Sequence, residues 1–298
     1  MPYLSNRLAY ISGCSLLLIA VQCVQTQLAA AEDKFELSDE LHARCLKTLR
    51  DGIHSGEFWP SIHAAEGLTL AGRGDEVRQH LEPKLPLEKD DQRRCGLARE
   101  LVRAGDRDQA QVMLDILAGD DPYGHVHAAE SLYKVNEIGD GKAMKHAAKQ
   151  TEDIKLHLMA AAALARGGNK KAMQQLRARL SDADPETRKI AAWILGRIGN
   201  ASDIPQLRKN IESAPDPISR AYNEHSLAAL GDAEGLRSLV ANLQHDDPAI
   251  RTYAATFAGD ARALSVGPAL IPLLDHENID VRVRAAQSLL VLSQLGTK

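Results

Sequence analysis

The pattern of apolar and polar positions predicts helices along most of the chain. In residues 172–180 and 236–243, apolar residues recur every three or four positions, as they do on one face of a helix. A second pattern is clearest in residues 191–196, where two alanines are followed by a leucine and a glycine. It recurs at intervals of 31 to 33 residues, which is typical of a repeat protein. With the first residue of the pattern as position zero, the equivalent residues are Ala64, Leu97, Ala128, Ala160, Ala191, Asn223, Ala254 and Ala285.

The residues before position zero predict where each of these helices begins. An acidic residue or Asn stands seven positions earlier, and Pro often follows it. Asp followed by Pro is a typical helix start, because Asp caps the first turn and Pro has no N–H that needs a partner there. The predicted caps include Asp121, Asp184, Asp216 and Asp247. Arginines stand three positions before zero, at Arg94, Arg188, Arg220, Arg251 and Arg282.

An earlier helix is also visible in each repeat, so we predict pairs of antiparallel helices that stack on their neighbours. The fold class is then an all-α solenoid, a superhelix of about eight two-helix repeats. The predicted repeats are approximately residues 38–73, 74–106, 107–139, 140–168, 169–200, 201–231, 232–262 and 263–298. Only 4% of the residues are aromatic, so the core of these repeats has to be built mainly from Ala and Leu.

The segment from Asp184 to Gly196, with the pattern Asp-Pro-x-x-Arg-x-x-Ala-Ala-x-x-Leu-Gly, resembles the short HEAT-like repeats first associated with phycobilisome lyases. The resemblance covers residues 38–295 and concerns the fold. It implies that the Asp and Arg columns form a ladder between successive repeats. Together with the amino terminus described below, it suggests an exported, bacterial-type member of that family.

Helix geometry predicts which side chains of the second helices face away from the core. Positions −5, −1, +2 and +6 form one stripe, which should line the concave surface of an open superhelix. Five of the nine aromatic residues outside the predicted signal peptide lie on it. The predicted groove residues are Trp59, His63, Glu66, Arg99, Arg103, Tyr123, His127, Glu130, Lys134, Arg166, Trp193, Arg197, Tyr222, His225 and Tyr253. Aromatic rows of this kind often bind partners, although packing against the neighbouring helix is the alternative.

We therefore expect a non-catalytic exported scaffold that binds a protein partner, or an acidic polymer, through this groove. The net charge of −4 has both signs interspersed, which does not favour nucleic acid as a partner. The basic residues at position +6 form a ladder along the groove, or they only stabilise helix C-termini. The alternative function is an enzyme or cofactor-handling protein, lyase-like or oxidoreductase-like, that uses His, Glu and Arg residues of repeats one to three.

We expect no metal and no cofactor. The sequence His-Ala-Ala-Glu begins at both His63 and His127, and each puts a His and a Glu on one helix face. Repeats one and three should however lie about 20 Å apart, too far to share an ion. Deoxyhypusine hydroxylases, which also have eight such repeats, hold two irons with adjacent His-Glu pairs. The corresponding positions here hold Ile62-His63, Cys95-Gly96, Val126-His127 and Lys189-Ile190.

The amino terminus is predicted to be a signal peptide, residues 1–31. Arg7 precedes a mostly apolar stretch from Leu8 to Val21, and small residues at 29–31 offer a cleavage site. The stretch is shorter than the roughly 20 residues of a permanent membrane span, so we expect a periplasmic or secreted protein. Lipoprotein anchoring at Cys14 is disfavoured because too few apolar residues precede it. Cys45 and Cys95 would remain, either as a pair or as two buried thiols.

Overall fold

The computed structural model describes residues 35–296, and within them sixteen α-helices form eight consecutive pairs without any strand. This confirms the all-α repeat fold. The helices are α1 (Asp39–Ile53), α2 (Phe58–Leu70), α3 (Gly74–Leu81), α4 (Asp91–Arg103), α5 (Ala110–Ala118), α6 (His125–Val135), α7 (Lys142–Ala147), α8 (Ile154–Arg166), α9 (Lys170–Arg179), α10 (Pro185–Ile198), α11 (Ile204–Glu212), α12 (Pro217–Ala229), α13 (Ala233–Asn242), α14 (Pro248–Ala261), α15 (Gly267–Leu270) and α16 (Ile279–Gly296). Short 3-10 segments lie at Leu85–Leu87, Arg107–Gln109, Pro122–Gly124, Ala201–Asp203, Leu264–Val266 and Ile271–Asp275. The predicted signal peptide and Cys14 lie outside the described residues.

Aspartates cap the starts of the second helices. The Asp184 carboxylate accepts hydrogen bonds from the N–H groups of Glu186 and Thr187. Asp216 and Asp247 accept from one N–H each at the starts of α12 and α14. Asp121 also accepts from an N–H, that of Tyr123, but the segment that it caps is a 3-10 turn and α6 begins only at His125. Each cap satisfies donors that a helix cannot pair internally.

The arginines three positions before zero do not form the expected ladder with aspartates of neighbouring repeats. Arg188 Nη1 donates to the carbonyl oxygens of Asp182 and Ala183, at 2.8 and 2.9 Å. Arg251 and Arg282 likewise bind carbonyls five and six residues earlier in the chain. The turn between the two helices of a repeat presents carbonyls without helical partners, and a guanidinium group fits them. The remaining two arginines form ion pairs within their own helices, Arg94 with Asp91 and Arg220 with Glu224.

A core of Ala, Leu and other apolar side chains fills the space between the two helices of each pair. The alanine pairs at zero and +1, such as Ala64 and Ala65, are 0% exposed, because small side chains let the helices approach closely. Cys45 and Cys95 are both buried and free. The sixth repeat departs from the alanine pattern, since Asn223 and Glu224 occupy positions zero and +1. Both side chains are nevertheless buried.

The eighth pair of helices packs against the first, so the repeats form a closed ring. Helix α16 contacts α1 and α2 as well as α14, and each second helix contacts the next around the ring. Gly52 permits this approach, because a Cβ at this position would lie 2.7 Å from Val283 Cγ2. The Gln294 side chain donates to the carbonyl of Leu70 at 3.0 Å. The expected open groove is therefore a central cavity, because the small rotations between repeats add up to a full turn within eight repeats.

Candidate functional site

The ring encloses a central cavity of about 1000 Å³. Its lining comes from all eight second helices, which are thus the inner layer of the ring, while the first helices form the outer layer. The lining is polar and rich in charge, with eight Lys and Arg residues against five Asp and Glu residues. Most of the lining residues occupy positions −5, −1, +2 and +6 of their repeats.

One side of the cavity is made of ion pairs between α2, α4 and α16, and we call it the ion-paired wall. Its members are His63, Glu66, Arg103, Asp280 and Arg284. Glu66 bridges two neighbours, since its carboxylate oxygens lie 3.2 Å from Arg103 Nη2 and 2.9 Å from Arg284 Nη1. Asp280 Oδ1 lies 2.6 Å from His63 Nδ1. The contacts of Glu66 with Arg284 and of His63 with Asp280 join the first repeat to the last, so this wall closes the ring.

The electrostatics of the ion-paired wall keep its carboxylates ionised. Burial alone raises the pKa of Glu66, but the guanidinium groups of Arg103 and Arg284 outweigh it and hold the pKa well below its ordinary value. Burial, together with the charge of Arg284, lowers the pKa of His63. Its hydrogen bond to Asp280 helps to lower the pKa of the Asp280 carboxyl against the effect of burial.

Arg99 lies behind this wall and not in the cavity. Its side chain is 6% exposed and its Nε donates to Glu100 Oε1 at 2.6 Å. Glu100 is fully buried and also accepts from Arg103 at 2.5 Å. The prediction that Arg99 belongs to the exposed surface is thus wrong. Its guanidinium pairs with the buried carboxylate of the next residue, Glu100, and is itself buried.

The opposite side of the cavity is formed by four aromatic side chains of α6, α10, α12 and α14, and we call it the aromatic wall. Its members are Tyr133, Trp193, Tyr222 and Tyr253. The rings of Tyr222 and Tyr253 lie 4.7 Å apart between centroids, and those of Tyr133 and Trp193 lie 6.0 Å apart. Trp193 is 8% exposed and Tyr133 only 1%. The row of freely exposed aromatics expected from the sequence is therefore a packed wall whose ring edges border the cavity.

Cations lie against the faces of these rings. Arg197 Cζ lies 4.3 Å from the centroid of Trp193, and Lys134 Nζ lies 5.6 Å from it. Arg166 Cζ lies 5.5 Å from the centroid of Tyr133. These contacts are within the range of cation–π attraction. The cations of position +6 thus line the cavity beside the aromatics.

Glu130 contributes the charge that balances one of these cations. Its carboxylate lies 2.6 Å from Lys134 Nζ. Burial raises the pKa of Glu130, but Lys134 and Arg99 oppose burial and bring it down to about 2. The carboxylate is therefore ionised at every physiological pH.

His225 is also not on the cavity surface. It is 0% exposed, and its Nε2 lies 3.1 Å from Asn242 Nδ2 of the outer helix α13. Burial, together with the charge of Arg197, lowers the pKa of His225 to about 3. The prediction placed it in the groove because +2 points inward. In the sixth repeat, however, polar side chains replace the alanine pair and the imidazole packs among them.

Trp59, Tyr123 and His127 lie at the N-terminal end of the inner helices and do not line the cavity. Trp59 is 37% exposed and stacks on His127 with 5.6 Å between ring centroids. Gly96 makes room, because a Cβ at this position would lie 3.4 Å from the Trp59 ring. Tyr123 is 53% exposed and its hydroxyl donates to Asp90 at 2.8 Å.

The contact between Trp59 and His127 corrects the estimated separation of repeats one and three. The curvature of the ring brings inward side chains of alternate repeats into contact, so the expectation of about 20 Å does not hold for side chains. Among the described residues, no group of three or more His, Cys, Asp or Glu side chains is placed to bind a metal ion. None of the described helices has the length and apolar composition needed to span a bilayer.

Several residues of the cavity were not predicted from the sequence. Asp260, Asp280 and Arg284 stand at positions +6, −5 and −1 of the last two repeats, so extending the same stripe would have found them. Tyr133 stands at +5, one residue beside the stripe, and no sequence pattern distinguishes it.

Residues 141–228 match the family model described as HEAT repeats. No sequence among curated proteins matches the chain. A structure of human deoxyhypusine hydroxylase with glycerol is similar at 18% identity and a TM-score of 0.42, covering 86% of this chain and 96% of that one. Escherichia coli YibA is similar at 17% identity and a TM-score of 0.35, covering 86% and 98%. An engineered protein is similar at 16% identity and a TM-score of 0.32, covering 84% and 97%. The family match agrees with the paired-helix repeats, and likenesses at this level say nothing about function.

Proposed function

We propose that this protein is a non-catalytic binding protein that holds a segment of a protein partner in its central cavity. The observation that carries the proposal is the aromatic wall with its cations. Tyr, Trp and Arg are the residues that most often dominate binding energy at protein interfaces. Here they border a cavity of about 1000 Å³, which is the size of a pocket for a compact ligand. A folded domain does not fit such a space, but the side chains of an extended segment do.

The ion-paired wall supports binding over catalysis. A general acid or base works best when its pKa is close to the working pH. The pKa of Glu66 is held far below that range, and burial lowers the pKa of His63 away from it. Each group is also engaged by a partner from a neighbouring repeat. These residues therefore hold the ring together, and the alternative of an enzyme using repeats one to three has less support.

The experiment is site-specific photo-crosslinking in cells that contain the full chain. The photoreactive amino acid p-benzoylphenylalanine replaces Thr256, which lines the cavity. The matched control carries it in place of Arg237, an exposed residue of the outer helix α13. We expect the cavity position to attach to a defined polypeptide, identified by mass spectrometry, and the control not to. Equal labelling from both positions, or no polypeptide at the cavity position, would contradict the proposal.

We also propose that the protein is exported and acts in the periplasm or outside the cell. The support is the sequence of residues 1–31, with Arg7, the apolar stretch that follows it and the small residues before Glu32. Amino-terminal sequencing of the protein recovered from a periplasmic or culture fraction tests this. We expect a mature chain that begins near Glu32. A chain that keeps residues 1–31 and remains with cytoplasmic markers would refute export.

A further inference from the structure

The aromatic wall contains one buried polar group that the protein leaves without a partner. The Tyr133 side chain is almost fully buried, and its hydroxyl forms no hydrogen bond within residues 35–296. Tyr133 also lines the central cavity. Buried polar groups in native proteins are nearly always paired, so an unpaired hydroxyl in a cavity wall is a candidate contact for a ligand.

Arg166 lies over the ring of Tyr133, with Cζ 5.5 Å from the ring centroid, and it has donors to spare. Its Nη1 donates to the carbonyls of Tyr133 and Lys134, at 2.8 and 3.2 Å. In the described part of the chain, no hydrogen bond engages its Nε or Nη2, and no carboxylate lies within ion-pairing distance. A guanidinium group fixed by two carbonyls, with a free edge, is well suited to bind a planar oxyanion.

The neighbouring charges indicate how much negative charge the site accepts. Lys134 is paired with Glu130, and Arg197 is paired with Asp260 at 2.9 Å. The two pairs cancel, so among residues 35–296 the charge of Arg166 is the one excess positive charge near Tyr133. A single excess charge matches a carboxylate better than a phosphate, whose charge at neutral pH approaches −2.

We propose that the Tyr133 hydroxyl and the Arg166 guanidinium form a carboxylate subsite in the central cavity, with Lys134 and Arg197 at its flanks. The inference rests on the proposed function and specifies the segment that is bound: it carries a carboxylate toward the C-terminal end of the inner helices. The carboxylate comes either from an acidic side chain or from the end of the partner's chain.

The probe is a set of fluorescent decapeptide pools of random sequence, tested for binding to the full chain by fluorescence anisotropy. Four pools combine two differences: Asp and Glu are present or replaced by Asn and Gln, and the C-terminus is free or amidated. We expect the pool that lacks both carboxylates to bind about tenfold more weakly than the best pool. The two intermediate pools show which source is used. A fifth pool, neutral and amidated but with phosphoserine, tests phosphate as the anion.

Three variants complete the test. Arg166→Gln should weaken the carboxylate pools about tenfold and leave the neutral amidated pool unchanged. Arg237→Gln, the same change on an exposed outer helix, should alter no pool. Tyr133→Phe should weaken the carboxylate pools several-fold while the unfolding midpoint in urea stays the same or rises, because the lost hydroxyl had no partner.

The outcomes separate the two proposals. Pools that bind wild type and Arg166→Gln alike, with or without carboxylates, would overturn the subsite and leave segment binding intact. Preference for the phosphoserine pool would overturn the choice of carboxylate. A Tyr133→Phe variant that is less stable but binds normally would show that the hydroxyl serves the fold. Binding of no pool by the folded wild-type protein would overturn both the subsite and the proposed function.

Discussion

The two walls of the central cavity come from equivalent inner helices of different repeats, yet they differ in how far their polar groups are satisfied. In the ion-paired wall, Glu66 bridges Arg103 and Arg284, and His63 contacts Asp280. In the aromatic wall, the Tyr133 hydroxyl and much of the Arg166 guanidinium lack partners among the described residues. Polar groups that complete one another stabilise a fold, whereas polar groups left incomplete are available to a ligand. The ion-paired wall therefore closes the ring, and the aromatic wall is the surface that we propose binds the partner.

Breaking the ion pairs should have the largest effect. Glu100→Gln removes the buried carboxylate that pairs with both Arg99 and Arg103. Arg99 then lacks its counter-charge and Arg103 keeps only Glu66, so we expect the free energy of unfolding in urea to fall by about 3 kcal/mol. The control Glu40→Gln, on the exposed face of α1, should stay within about 0.5 kcal/mol of wild type. A loss below about 1 kcal/mol for Glu100→Gln would show that this buried carboxylate does not stabilise the ion-paired wall.

Acid should act first through buried histidines, which lie on both sides of the cavity, and only later through the carboxylates. Behind the aromatic wall, burial and Arg197 lower the pKa of His225 to about 3, whereas an unfolded chain protonates this residue near pH 6.5. A lowered folded-state pKa means that stability is present above pH 6.5 and is lost as the pH falls toward 3. Between pH 6.5 and 5 this residue should account for a loss of about 2 kcal/mol. The carboxylates of the ion-paired wall should add their own loss only below about pH 4.

Urea unfolding at a series of pH values tests this order. His225→Gln should remove about 2 kcal/mol of the loss between pH 6.5 and 5. His42→Gln, at an exposed position of α1, should leave the profile unchanged. If His225→Gln keeps the wild-type slope, the imidazole that packs on Phe257 and faces Asn242 is protonated in the folded protein too.

A smaller effect is expected from the contact that joins two helices of the aromatic wall. Ser226 Oγ lies 2.8 Å from the carbonyl oxygen of Ala192 on α10. Ser226→Ala should lower the free energy of unfolding by about 1 kcal/mol, since a buried hydrogen bond is lost without a new cavity. Ser238→Ala, on the outer helix α13, serves as the control. Equal stability of the two variants would show that the contact contributes nothing.

The smallest effect is expected at the cavity face of the aromatic wall. Tyr253→Phe keeps the ring contact with Tyr222 but removes the hydroxyl that shares a hydrogen bond with the Tyr222 side chain. Because Tyr253 is partly exposed and water can replace its hydroxyl, we expect the free energy of unfolding in urea to fall by only about 0.5 kcal/mol. A loss of more than about 1 kcal/mol would mean that the aromatic wall, like the ion-paired wall, mainly serves stability.

Much of the repeat structure follows from local sequence. The Asp184 cap and the helix after it depend on contacts within a few residues, and such contacts can be inferred from spacing alone. The inward direction of position +6 likewise follows from helix geometry, and it places Lys134 and Arg197 at the cavity. The same rule fails for His225, because whether a side chain at the edge of the stripe faces the cavity or the core depends on the volume of its neighbours.

The sequence by itself determined the repeat, its two helices, their caps and the stripe that lines the inner surface, since each is specified within about 32 residues of chain. Only the tertiary structure decided that the ring closes, that Glu66 meets Arg284 some 218 residues later, and that Trp59 reaches His127 across an intervening repeat. The physical reason is that the rotations between successive repeats add up. Each interface between repeats adds a small rotation that no local pattern reports, and only their sum brings the eighth repeat back to the first.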